Sequence, residues 1–262
     1  MRRLSQVFLR DRTYIERMIQ ELSPKPGELF LEVGPGQGAL TRPLIERGAR
    51  VVAVELDIIL AESLKKGLGT IAGENLTVIQ GNYLRLQIRP ILPRVPVRFI
   101  SNLPYHISTP AMEKLSEEAE LYEDAHITLQ KEFADRLLAK PGTKEYGYTT
   151  VLVRLAYDPE LLFYIPPAAF SPMPRVMSVF MRLRKRKTCT PADLMERASK
   201  IAWASFRFRR RAIKNSLKPL LRGGTLEILN TARIDPEKRA DQLCPEEYLE
   251  IAKAEASFLG LR

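Results

Sequence analysis

Cysteine and histidine are scarce in this chain: Cys189 and Cys244 are its two thiols, His106 and His126 its two imidazoles. Two cysteines build no disulfide framework, and these four scattered residues offer none of the spacing that zinc requires, so disulfide-scaffold and metal-centre readings fall away. Long apolar runs are missing too. No stretch approaches the roughly 18 residues of a membrane span, and MRRLSQVFLRD at the start has too short an apolar run for a secretory signal. The expected compartment is therefore the cytoplasm, with no membrane partner. Acidic residues are the minority charge, 31 Asp and Glu against 41 Lys and Arg, for a formal net charge of +10.

That imbalance has an address. From Arg182 to Arg222 fourteen basic residues stand against Asp193 and Glu196, a local excess of +12, and the rest of the chain is close to neutral. A local excess of this kind is the footprint of a polyphosphate partner, because each neutralised phosphate releases condensed counterions. The plainer reading of the same run is a solvated helix face.

Of the 262 residues 45% are hydrophobic and 27% charged, enough apolar material for one large domain and a small one. Up to about residue 184 short β-branched runs alternate with helical patterns, which predicts an α/β fold with a mostly parallel sheet covered by helices. Seven strands are expected, at 29–33, 51–56, 76–80, 97–101, 125–129, 161–165 and 176–183. Asp11 can cap a first helix whose Ile15, Met18, Ile19 and Leu22 share a face, ended by the turn from Pro24 to Gly27. Further helical patterns fit 39–47, 57–67, 109–119, 131–139 and 147–156. Beyond RLRKRKTCTP the text is helical throughout, with Pro191 at a helix start and Gly223–Gly224 at a stop. The expected division is 1–184 for the larger domain and 185–262 for a small, basic, all-α domain.

LFLEVGPGQGALT reads as a strand, a glycine turn and a helix start, the arrangement that brings backbone close to a nucleotide. Gly34, Gly36 and Ala39 satisfy the dinucleotide pattern, whereas Gly34, Gly36 and Gly38 satisfy the G-x-G-x-G common in methyltransferases. Glu55, twenty-one residues after Gly34 and followed by Leu56, is placed to accept both hydroxyl protons of a ribose. These residues leave NAD and S-adenosylmethionine both open. Asn82, followed by Tyr83, stands at the next strand end, where an adenine amino group can be bound, and is equally at home as a plain turn residue. Ligands of doubly wound sheets lie along the carboxyl edge, so Gly34, Glu55, Asn82 and Asn102 are expected to line one crevice.

FISNLPYHIS, Phe99 to Ser108, supplies the chemistry. An exocyclic adenine amine is a poor nucleophile because its lone pair is delocalised into the ring. Two acceptors, the Asn102 side-chain oxygen and the Leu103 carbonyl, can hold both N–H groups and favour a pyramidal nitrogen aimed at a methyl donor. Pro104 restricts Leu103 to extended geometry, and Tyr105 can stack on the base. Positioning and electrostatics then suffice, without an evident side-chain base.

Asn102-Leu103-Pro104-Tyr105 resembles the N-L-P-Y signature of the small-subunit ribosomal RNA adenine N6,N6-dimethyltransferases. The likeness extends to SQVFLRD near the start, LEVGPGQGALT, the segment from Gln130 to Gly147, FSPMPRVMSVF, FRFRRRAIKNSLK and IDPEKRADQL, six further segments in order over nearly the whole chain. It implies a Rossmann-like class I methyltransferase, S-adenosylmethionine as methyl donor, and two adjacent adenosines in the terminal hairpin loop of small-subunit rRNA, within a pre-30S or pre-40S particle, as substrate. It also implies cofactor contacts from Gln6, Val7 and Leu9, a role for Phe170 facing Tyr105 across the target base, and a part in ribosome assembly; a monomer is the default expectation. Three positions depart from the family pattern: Ser5 stands for glycine, Val7 for a polar residue that contacts the cofactor, and Asn82 for an aspartate. Valine donates no side-chain bond, and a neutral amide accepts more weakly than a carboxylate.

On a helix drawn through 201–221, Trp203, Phe206, Ile213, Leu217 and Leu220 share one face. Arg207, Arg211, Lys214 and Lys218 share another, widened by Arg209 and Arg210, and these six are the expected RNA-binding residues. Other readings stay open at this point: a large-subunit rRNA or DNA adenine methylase with the same Asn-Pro-Tyr logic, or an assembly factor that kept the fold and lost turnover.

Overall fold

The computed structural model describes residues 7–187, 190–221 and 223–260, the side chain of Thr70 aside. Ser5, Gln6 and Cys189 lie outside these residues. In chain order the elements are β1 (Phe8–Leu9), α1 (Arg12–Leu22), β2 (Leu29–Val33), α2 (Thr41–Glu46), β3 (Arg50–Glu55), α3 (Ile58–Ala72), β4 (Leu76–Gln80) and β5 (Val97–Asn102). There follow α4 (Ser108–Glu117), β6 (Tyr122–Gln130), α5 (Lys131–Leu138), α6 (Tyr148–Ala156), β7 (Tyr157–Ile165), β8 (Phe170–Ser171) and β9 (Ser178–Lys185). Four helices close the chain: α7 (Ala192–Phe206), α8 (Ile213–Leu221), α9 (Thr225–Thr231) and α10 (Pro245–Phe258).

Seven strands form one sheet in the order β4-β3-β2-β5-β6-β9-β7. From β4 through β6 the pairing is parallel, and β9 runs antiparallel to β6. All five residues of β2 and the last five of β3 are buried, as strands covered on both faces must be. The chain leaves β2 toward β3 and β4 on one side and returns through β5 and β6 on the other. The sheet therefore switches direction between β2 and β5, and a crevice opens at their carboxyl ends. Ser101 spans this switch, donating its hydroxyl to the Val33 carbonyl.

Two strands were not anticipated. Phe8–Leu9 and Phe170–Ser171 form an antiparallel pair, with Leu9 opposite Phe170. Two-residue strands carry no periodicity a sequence can show. Helix α3 runs to Ala72 rather than stopping at Gly67, because Leu64, Leu68 and Ala72 are buried at four-residue spacing and outweigh two glycines. Strand β7 starts four residues earlier than expected; Asp158 and Glu160 disguise its beginning, and Arg182 and Arg184 pair with Glu160 there.

The chain divides into two compact units, one of residues up to 134 with 159–185, the other of 135–158 with 186–262. The linear division at 184/185 misses the return of 135–158. The reason is apolar packing: Tyr146, Val151 and Leu155 belong to the cluster built by Ile201, Ile213, Leu217, Leu229, Tyr248 and Ile251. The single helix drawn through 201–221 is two helices. Between them Ile213 N–H bonds the Lys238 carbonyl, Lys214 N–H bonds the Pro236 carbonyl, and Ala212 bridges Arg239, so strand-like pairing replaces a helical turn. Ile213 and Leu217 are buried as expected, Phe206 is half-buried, and Trp203 and Leu220 are exposed.

Candidate active site

A cavity of about 240 Å³ lies along the carboxyl edge of the sheet, within the larger unit. Its walls come from four successive strand ends and from the segment at Val7–Leu9. Gly34 and Gly36 follow β2 with φ of +69° and +55°, angles that an L side chain rarely takes. A Cβ on Gly36 would also stand 3.0 Å from the Phe8 ring. The Gly36 N–H donates to Glu55 Oε2 at 3.0 Å, and the Asp57 N–H to Glu55 Oε1 at 3.0 Å. One carboxylate thus holds the glycine bend and the start of α3 together, and each oxygen keeps a lone pair for a ligand hydroxyl.

Asn102 closes β5. Its Nδ2 donates to the Val7 carbonyl at 3.3 Å, and its Oδ1 has no hydrogen-bond partner among the described residues. The Leu103 carbonyl has none among the described residues. Tyr105 begins a short turn over 105–107, and its hydroxyl shares a 2.7 Å hydrogen bond with the buried Ser178 hydroxyl, which anchors the ring. Burial, opposed in part by that bond, pushes the Tyr105 phenol pKa up.

The structure brings Val7, Leu9, Gly34, Gly36, Glu55, Leu56, Asn82, Tyr83 and Asn102 through Tyr105 to this one cavity. Two expected residues stand elsewhere. Gly38 has φ +81° and a helix-packing role, since a Cβ there would lie 2.8 Å from Leu64 Cδ1. Phe170 does not line the cavity; its pairing with Leu9 buries it in the apolar cluster with Phe163 and Phe180. Asn82 takes the turn role as well, its Oδ1 accepting the Leu84 N–H at 3.0 Å, so one lone pair remains for a ligand. Val7 contributes through its main chain, where its side chain offers nothing polar.

Sequence reasoning missed Glu32, a wall residue only 2% exposed. It accepts a 2.7 Å hydrogen bond from the Thr41 hydroxyl, yet burial, aided by the nearby Glu55 charge, pushes its pKa up to about 7. An acid in the middle of LFLEV, a strand buried on both faces, was the available signal. A desolvated carboxyl beside a nucleotide-shaped bend suits a cationic ligand.

A glycine bend after the first central strand, an acid at the end of the next, and an open crevice at the switch point define a Rossmann-like class I methyltransferase fold. The profile of the ribosomal RNA adenine dimethylase family matches residues 1–257. A ribosomal RNA small subunit methyltransferase A of Alcanivorax borkumensis is 38% identical over 253 residues, 96% of this chain and 88% of its own length. The corresponding protein of Methylococcus capsulatus is 34% identical, covering 96% of each chain. Among solved structures, a dimethyladenosine transferase from Plasmodium falciparum shares the fold with TM-score 0.80 at 23% identity, covering 97% of this chain and 98% of its own. The 23S rRNA methyltransferase ErmE aligns with TM-score 0.67 at 29% identity, covering 94% and 98%. The chain belongs to the ribosomal RNA adenine dimethylase family, and its methyl donor is S-adenosylmethionine. The residues present fit that group: Gly36 sits where a Cβ would crowd the bend, Glu55 retains acceptor capacity, and Glu32 is a buried acid ready to face positive charge.

The six basic residues expected at the nucleic acid fare differently from one another. Arg209 is consumed internally, bonding the Thr143 and Lys144 carbonyls and Asp241. Lys214 pairs with Glu237. Arg207, Arg210, Arg211 and Lys218 are exposed and have no carboxylate partner among the described residues. The break between α7 and α8 also removes the single charged stripe. Among the described residues of the basic run, Arg182, Arg184, Arg186, Arg197, Lys200, Arg209 and Lys214 pair with carboxylates.

Proposed function

We propose that this protein transfers methyl groups to N6 of two adjacent adenosines in the terminal hairpin loop of small-subunit rRNA, two to each, and that it acts as a monomer on the assembling subunit in the cytoplasm. The observation that carries the reading is the pair of acceptors, Asn102 Oδ1 and the Leu103 carbonyl, that have no partner among the described residues and lie beside the glycine bend. When bound, S-adenosylmethionine supplies a methyl group activated on a sulfonium. Gly34, Gly36 and Glu55 hold the nucleoside end, Glu32 faces its positive charge, and Asn82 offers its remaining lone pair to the adenine amine. Asn102 and Leu103 each accept one N–H of the target amine, which localises the nitrogen lone pair toward the methyl carbon. Tyr105, fixed by Ser178, stacks on the extruded base. The nitrogen cation left by the transfer releases one N–H proton to water, with no side-chain base needed, because an aminopurine nitrogen is a weak base once its lone pair rejoins the ring. Arg207, Arg210, Arg211 and Lys218 neutralise phosphates and position the RNA without reading its bases.

The test uses the full chain, methyl-labelled S-adenosylmethionine, and small and large ribosomal subunits lacking adenine dimethylation. Dimethyladenosine at two neighbouring positions near the 3′ end of the small-subunit RNA is the expected product. Label entering large-subunit RNA, as the likeness to ErmE allows, overturns the substrate, and cofactor binding without transfer overturns the activity.

A further inference from the structure

Trp203 is the sole tryptophan of the sequence, and more than half of it, 52%, is open to solvent on the helical unit. A large apolar ring left exposed at the end of α7 runs against the burial its spacing predicts. Its surroundings are not apolar. The Arg207 guanidinium lies over the Trp203 ring at 5.0 Å and over the Phe208 ring at 6.0 Å, and the Arg211 guanidinium lies over Phe208 at 4.7 Å. Rings and guanidinium planes therefore alternate as Trp203, Arg207, Phe208, Arg211, with Arg210 exposed between them in sequence. None of these arginines has a carboxylate partner among the described residues, although Arg209 and Lys214 of the same run do. Neighbouring Arg209 and Lys214 spend their charges on the protein itself, the one on loop carbonyls and Asp241, the other on Glu237, whereas Arg207 and Arg211 keep theirs for a ligand.

We infer that Trp203, Arg207, Phe208 and Arg211 form a stacking site for an unpaired RNA base, with the guanidinium groups neutralising the phosphates on either side. Two properties argue for a nucleotide rather than an apolar partner. The positive charge complements a phosphate chain, and the exposed indole and guanidinium faces are flat surfaces on which any base can stack. Duplex RNA hides its base faces and would engage the arginines alone. The inference rests on the RNA-modifying reading above and adds a second point of base contact, distinct from the adenosine taken into the cavity.

With one tryptophan in the chain, indole fluorescence reports on this site directly. The full chain is titrated with a single-stranded RNA of about ten nucleotides and with a duplex of equal phosphate number. Single-stranded RNA should quench Trp203 at saturation and the duplex should bind with far less quenching. Trp203→Ala should weaken single-strand binding about 5- to 100-fold with little change in salt slope, and Trp203→Phe should retain most of the affinity. Arg207→Lys keeps the charge but loses the plane, and should weaken the single strand more than the duplex. Equal quenching by both RNAs, or Trp203→Ala binding like wild type while folded by circular dichroism, overturns the stack. Quenching by polyglutamate but not by RNA assigns the patch to an acidic protein and also overturns it. The two readings fail separately: wild-type transfer and affinity in Trp203→Ala sink the stack alone, whereas quenching by RNA without methyl transfer sinks the activity alone.

Discussion

The two ends of the parallel sheet treat charge in opposite ways. At the amino end of β5, Arg98 is buried and every arm of its guanidinium is used: Nε and Nη2 bond Asp124, and Nη1 bonds the Leu22 carbonyl and Glu28. At the carboxyl end, among the described residues, Asn102 makes one side-chain bond, Glu55 keeps spare lone pairs, and Glu32 is desolvated with one hydroxyl partner. A polar group with all its partners inside the protein serves stability. One that is buried or half-buried with capacity left over marks where a ligand belongs.

Substitutions at the two ends should separate these roles, beginning with the largest effect. Arg98→Met strands the Asp124 and Glu28 charges and should lower unfolding free energy by about 3–5 kcal/mol, read by urea denaturation, with cofactor affinity of the remaining folded protein unchanged. Asn102→Ala should do the reverse, lowering kcat/KM by about 100- to 1,000-fold with a Tm close to wild type; a fall in Tm in place of the kinetic loss would merge the two ends into one role.

Glu32 sharpens the comparison through pH. Its folded pKa of about 7 exceeds the ordinary 4.5, so the folded form holds a proton that the unfolded chain has released. Its contribution is fully present below pH 4.5 and is lost as pH rises through 7, a loss of about 3 kcal/mol by pH 8. Glu32→Gln should therefore be more stable than wild type above pH 7. A cationic cofactor favours the ionised carboxylate, so wild-type affinity should rise across pH 6–8 with release of a proton; calorimetry on Glu32→Gln should show weaker binding without that slope.

The smallest effect belongs to the helical unit. Arg210→Ala should reduce the slope of log affinity against log salt by about 1 and leave stability within about 0.5 kcal/mol. Arg209→Ala should leave the salt slope alone and lower stability by about 1 kcal/mol, because its bonds go to Thr143, Lys144 and Asp241. Identical salt slopes for the two variants would mean that internal pairing does not decide which cations reach RNA.

Much of the fold was legible because its signals are local. Asp11 caps α1 by accepting the Thr13 N–H, Pro191 precedes α7, and the buried runs of β2 and β3 stand within a residue of the expected places. The spacing of Gly34, Glu55, Asn82 and Asn102 likewise follows from strands that end on one edge. What stayed hidden depends on partners distant in the chain. Phe170 was expected at the target base and lies in the core because Leu9 pairs with it. Trp203 was expected inside and stands outside because α7 turns a different face, that of Ala198, Ile201, Ala202 and Ser205, into the core.

The sequence by itself determined the class of sheet, the glycine bend, the order of the cofactor-edge residues and the Asn-Leu-Pro-Tyr acceptors, since each rests on backbone limits and periodicity within a few residues. Only the tertiary structure decided which charges are free, which aromatic rings are exposed and which glycine serves packing rather than the cavity. Those properties depend on what each group meets across the fold, and hydrogen bonding and burial assign that by proximity in space.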